Sequence, residues 1–176
     1  QKSMVIEKDG EKYGLIGISP SDMLQRVKHN ETLDDFKIKD LPETMKLLNE
    51  EVQKLKSQGI NKIVVLSHSG NKNDKLIAQE IPDIDIIFGA HTHELINGIK
   101  EGENLFFSKT GEPVVITQAG KDGENMGVLN VDFDENGVIK KVQNNIINTR
   151  EFNRPLFIKD SVEGIIGKPE VIGRIK

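Results

Sequence analysis

The sequence predicts a layered α/β domain, and three observations carry that prediction. Ile63-Val64-Val65-Leu66 and Asp85-Ile86-Ile87-Phe88 are two short, strongly apolar runs of strand length. A long amphipathic segment precedes the first run, and a shorter helical segment separates it from the second. Strand-like stretches with tight-turn signals fill the rest of the chain. Continuous apolar runs suit strands buried on both faces, and alternation with helices points to layers built on a sheet.

Met4 to Ile18 reads as a β-hairpin, because β-prone residues flank Asp9-Gly10, a tight-turn pair. Ser19 to Lys39 is polar and irregular, with a short helix expected near Met23 to Val27. The clearest helix follows. Asp40 is suited to cap it, Pro42 is tolerated in its first turn, and Glu43 stands at the capping-box position. Leu41, Met45, Leu48, Val52 and Leu55 make one apolar stripe, Glu50 and Lys54 form an exposed pair, and Gly59 ends the helix. After the Ile63 strand comes a loop, Ser67 to Asn73, then a helix from Asp74 to Glu80 that Pro82 stops. Beyond the Asp85 strand, Pro113 to Gln118, Gly127 to Phe133 and Val138 to Ile147 are strands, the last two joined by an Asp134–Gly137 hairpin turn. The pattern weakens over residues 151–176, which read as a connector to a further module.

Composition narrows the function classes. Hydrophobic residues are 36% and charged residues 30%, as in ordered globular chains. No apolar run approaches the ~18 residues of a membrane span. A net charge of −4 with no compensating basic face argues against a nucleic-acid polymer as partner. The lack of cysteine excludes disulfides and thiolate ligands. The chain opens at Gln1 with neither initiator methionine nor signal peptide, so a piece of a longer protein is expected.

Three of the four histidines lie just beyond the two apolar strands. His68 follows Ser67, and His91 and His93 follow Gly89-Ala90. Ligand sites in open α/β sheets gather outside the carboxyl ends of strands. Two histidines at i, i+2 on an extended segment direct both rings to one side, and neutral imidazole is a common ligand for zinc-like metals. His29, in the polar excursion, is read as an ordinary solvated side chain.

Val65-Leu66-Ser67-His68-Ser69-Gly70, Asp74-Lys75-Leu76-Ile77-Ala78 and Ile84-Asp85-Ile86-Ile87-Phe88-Gly89-Ala90-His91-Thr92-His93, in that order, resemble the calcineurin-like metallophosphoesterase domain of bacterial 5′-nucleotidases and 2′,3′-cyclic-nucleotide phosphodiesterases. Pro113 to Gly120 and Met126 to Val131 are similar to the same family, so the resemblance runs from about Met4 to Ile147. It implies an αββα sandwich with mixed sheets. It also implies two divalent ions (zinc, manganese or iron) about 3.5–4 Å apart that activate water for in-line attack on a phosphoester. His68 and His91 match ligands of one ion and His93 a ligand of the other. Asp74 matches a recurrent acidic position, and its plainer reading is a first-turn aspartate favoured by the helix dipole. Gln118 and Asn125 are read as strand-end hydrogen bonders.

The family's Asp-x-His, Gly-Asp and Gly-Asn-His-Glu/Asp segments do not occur in this sequence. Residues 1–150 are therefore expected to be the C-terminal half of such a domain, and 151–176 a connector toward a nucleotide-binding domain. No catalytic residue is assigned. The implied partners are a nucleotide or related phosphoester and the missing N-terminal half, with self-association through an uncovered sheet edge or face. The implied location is extracellular, periplasmic or cell-wall-associated. Alternatives are a same-fold relative with a different substrate and a non-catalytic interaction module that keeps a vestigial site.

Overall fold

The computed structural model describes residues 2–23 and 37–150. His29, the connector and most of the helix expected near Met23 to Val27 lie outside the described residues. Among the described residues eight strands and two complete helices follow in the order β1 (Ser3–Lys8), β2 (Glu11–Ile18), α1 (Leu41–Ser57), β3 (Ile63–Ser67), α2 (Asn71–Glu80), β4 (Ile86–Phe88), β5 (Leu105–Phe107), β6 (Pro113–Thr117), β7 (Asn125–Phe133) and β8 (Ile139–Asn148).

Six strands form a mixed sheet in the order β1-β2-β3-β4-β6-β5, and β7-β8 form a separate two-stranded ribbon. The four central strands are parallel, while β1 and β5 are antiparallel edges. On one face Leu48, Val52 and Leu55 of α1 and Ile77 and Ala78 of α2 pack against Ile16, Ile63, Val65, Ile87, Val114 and Ile116. On the other, Val64, Ile86 and Val115 meet Leu129, Val131, Ile139 and Val142 of the ribbon. The described residues thus form a helix layer, a main sheet and a ribbon. Two buried asparagines bind the outer parts to the sheet. Asn144 of β8 accepts from Thr117 Oγ1 at 3.0 Å and donates to Ile96 O at 2.8 Å, and Asn104 accepts from Lys100 N at 2.7 Å.

Helix α1 follows the expectation closely. Asp40 Oδ1 accepts from Glu43 N at 2.9 Å, and Gly59, at φ +80°, closes the last turn with its N–H on Lys56 O. Glu43, however, pairs with Lys39 rather than returning to the cap. Lys54 pairs with Glu51 at 2.7 Å, not with Glu50. Three further differences bear on the site. Helix α2 starts at Asn71, because Gly70 at φ +88° lets the chain turn into the helix early. The short edge strand β5 was not foreseen. Leu66 and Phe88, expected to be buried, are 46% and 40% exposed. They sit at the carboxyl ends of their strands on the ribbon side, and β1 residues Met4, Val5 and Ile6 at the sheet edge are exposed as well.

Asp85, at the amino end of β4, is buried among Asp83, Glu112 and Lys62, and its Oδ2 accepts from Ile63 N at 2.6 Å. Burial pushes its carboxyl up to about 7, with the Ile63 hydrogen bond opposing and Glu112 and Asp83 adding to the shift. The folded state therefore holds a proton that the unfolded state has released, and stability falls as pH rises from about 4 to about 7. Asp85→Asn keeps an acceptor for Ile63 and loses the charge. It should raise stability by about 1–3 kcal/mol at pH 8, by less at pH 5, and flatten the pH dependence between them in urea melts. A variant that keeps the wild-type slope would show that this carboxyl is not its source.

Candidate metal centre

The parallel register of β3 with β4 sets Leu66 opposite Phe88, so both strands deliver the chain to the same edge of the sheet. His68 emerges directly beyond β3, its backbone N–H donating to Ile18 O at 3.0 Å. Beyond β4, Gly89 N–H donates to Thr117 O at 2.8 Å before the chain turns through Ala90 to His91. The two imidazoles meet edge to face, with ring centroids 5.3 Å apart and planes at 74°. Gly70 packs beside them, where a Cβ would make ordinary contact with the His91 ring and Thr92, and its φ of +88° is what calls for glycine.

The His91-Thr92-His93 segment is not the extended stretch the i, i+2 spacing suggested. His91 and His93 both occupy the left-handed region, at φ +78° and +59°. Such a conformation is uncommon for a side-chain-bearing residue and is held only where its surroundings impose it. The holder is Gln118, buried just past β6. Its Oε1 accepts from Glu94 N at 2.7 Å, its Nε2 donates to Thr92 Oγ1 at 3.2 Å, and its backbone carbonyl accepts from Ile96 N at 2.9 Å. Gln118 is thus the hydrogen bonder expected, while Asn125 begins β7. Among the described residues the ring contact joins His68 and His91, and His93 is exposed beyond them.

Two acidic residues stand close to these loops, at Asp22 and Asp74. Asp22, in the stretch read only as polar, brings Oδ2 to 3.4 Å from His91 Nε2. Its one available signal was its place four residues beyond the carboxyl end of β2. Asp74 is a first-turn aspartate of α2, as read, and it is also fully buried. Its Oδ1 accepts from the hydroxyls of Ser67 and Ser69, the latter at 2.9 Å. Those two serines flank His68. Burial pushes the Asp74 carboxyl above its ordinary range, the two serine bonds pull it down, and nearby Glu94 adds to the rise.

The imidazoles of His68 and His91 with the Asp22 carboxylate are nitrogen and oxygen donors of the type zinc, manganese or iron accept. No group of three or more histidine, aspartate or glutamate side chains converges on one point among the described residues. The donor chemistry of His68, His91 and Asp22 thus suits such a cation, while the described residues alone do not assemble a three-ligand set.

A layered α/β domain with imidazoles gathered beyond the carboxyl ends of parallel strands is the class that fold and site define. Residues 6–95 match the family model described as calcineurin-like phosphoesterase. The chain is 33% identical over 147 residues to a probable 5′-nucleotidase of Treponema pallidum, a match covering 78% of this chain and 24% of that protein. It is 31% identical over 194 residues to a 5′-nucleotidase of Diplobatis ommata, covering 98% and 31%. The structure of a 5′-nucleotidase precursor from Thermus thermophilus superposes with a TM-score of 0.70 at 23% identity, over 94% of this chain and 34% of that one. This chain belongs to the calcineurin-like phosphoesterase family, whose members named here are phosphoester hydrolases. It spans less than a third of the length of either curated relative.

Gly89 packs tightly against the Asp74 carboxylate of α2, since a Cβ there would stand 2.6 Å from Oδ2. Gly89→Ala should destabilise the chain by about 1–3 kcal/mol in chemical denaturation, as overpacked sites do. In NMR spectra it should also shift the imidazole resonances of both His68 and His91. Wild-type stability with unmoved histidine signals would refute this packing.

Proposed function

We propose that this chain is part of a metal-dependent nucleotide phosphoesterase and supplies the histidine side of its metal centre. The observation that carries the reading is the edge-on meeting of His68 and His91 where two parallel strands end. In this reading His68 and His91 hold one divalent ion and His93 reaches the second. When bound, the ions activate water and neutralise charge that develops on the phosphoryl group. The chain's own residues present the imidazoles. The His68–Ile18 backbone bond sets one ring, and Gln118 holds the turn that carries the other. The 5′-nucleotidase names of the relatives favour nucleoside monophosphates as substrates.

Residues 1–150 serve as the C-terminal half of the phosphoesterase domain, and 151–176 lead toward a nucleotide-binding module. The small share of each relative that the chain spans supports this division. An exported location belongs to the same proposal. No helix of the described residues is long and apolar enough to cross a membrane.

The test is reassembly. The purified chain should be mixed with a second chain bearing the Asp-x-His and Gly-Asn-His segments, and hydrolysis of AMP or p-nitrophenyl phosphate followed with added manganese or zinc. Activity should need both chains and disappear with chelator, and His68→Ala or His91→Ala should lower it at least ~100-fold, as loss of a metal ligand does. Retained activity in both variants would reject the metal role of these histidines, whereas no hydrolysis from the reassembled wild type would favour the interaction-module alternative. Profiling cyclic nucleotides and UDP-sugars beside AMP separates same-fold relatives of other specificity. The chain alone should scatter light as dimers or larger species, because Met4, Val5, Ile6, Leu66 and Phe88 leave apolar surface open. A clean monomer would count against that self-association.

A further inference from the structure

Asp74 has no part in the proposed chemistry, yet it is the one fully buried charged side chain in the described core. One carboxylate oxygen carries both serine bonds, and the other, Oδ2, has no hydrogen-bond partner. A buried carboxylate held by two neutral hydroxyls and left half unsatisfied is costly. The surroundings add to that cost. Asn71, one turn earlier on α2, gives its amide N–H to Glu94 and leaves its own Oδ1 unpartnered, and the Glu94 carboxylate acts on Asp74 unfavourably. Only the amino end of α2 supplies a favourable dipole.

Shape alone does not require this charge. An asparagine has the same outline and could accept both serine hydroxyls. The position of the carboxylate suggests why a charge is useful. Oδ1 grips Ser67 and Ser69 on either side of His68, while Oδ2 lies against Gly89, two residues before His91. The carboxylate thus sits beneath the junction of both histidine loops.

We propose that Asp74 is a positioning residue for the cation held between His68 and His91, bonded to the first histidine loop and packed against the second, with a charge that costs the metal-free fold stability and that the bound cation offsets. The inference rests on the metal reading above and adds a residue to it. Compensation of this kind is reciprocal: whatever the cation contributes to the carboxylate, the carboxylate contributes to cation affinity.

The test uses the 176-residue chain with Zn²⁺ alone as probe, comparing wild type, Asp74→Asn and the His68→Ala/His91→Ala double variant. Asp74→Asn should raise the metal-free melting temperature by roughly 3 °C or more. It should also weaken Zn²⁺ binding by at least ~10-fold in calorimetry, as loss of a group supporting the ligands does. A purely structural residue gives a different signature, with melting temperature and affinity falling together, and that result overturns the proposal. So does unchanged Zn²⁺ affinity in Asp74→Asn when the double histidine variant has lost binding, an outcome that leaves the metal reading intact. Absence of histidine-dependent Zn²⁺ binding in the wild type overturns the metal reading, and the proposal with it.

Should Asp74→Asn fail to fold, hydrogen exchange on the wild type decides. Zn²⁺ should slow exchange at the Ser67–Gly70 and Gly89–His91 amides together. Protection of one segment without the other overturns the coupling.

Discussion

The parallel pairing of β3 with β4 is the constraint on which the rest of the site depends. Val64 lies opposite Ile86, Val65 opposite Ile87 and Leu66 opposite Phe88. Because the strands run the same way in this register, the residues that follow them leave the sheet side by side. His68 and His91, separated by more than twenty positions in sequence, become neighbours for that reason. The pairing is itself anchored in the core: Ile63, Val65 and Ile87 are fully buried beneath the two helices, and a slip of one residue would turn that apolar set toward the opposite face.

Around this junction the fold accepts local costs. His91 and His93 take left-handed backbone conformations, and Asp74 keeps a carboxylate oxygen with no partner. Each is tolerated because neighbouring groups overdetermine it. Gln118 holds the Thr92–Glu94 stretch from three directions, and Ser67 and Ser69 bind Asp74 from either side of His68. Unfavourable geometry concentrated where the strands end, above a well-packed core, fits a site shaped by ligand binding more than by stability.

Much of this was legible in the residues. The hairpin turn at Asp9-Gly10, the Asp40 cap, the Gly59 stop and both apolar strands each depend on chemistry local to a few positions, and each formed. The histidines were legible for a related reason, since a residue just after a buried strand has little choice of where to emerge. The errors were also physical. Glu50 and Lys54 have the spacing of a helix pair, but Glu51 offered Lys54 a better-placed, partly buried carboxylate that Ser3 also contacts. β5 has too few residues for a periodic signal and exists because β6 offers it an edge. Asp74 is the first-turn aspartate its pattern indicates, but its burial against Gly89 and the β3 loop has no local signal.

By itself the sequence determined the kinds of element, their order, and the three histidines placed beyond the strands, because periodicity, turn chemistry and capping act over neighbouring residues. The tertiary structure decided which histidines meet, that Asp22 joins them, and that Asp74 lies buried under both loops. Those outcomes depend on strand register and on distances between segments far apart in the chain, which no local pattern encodes.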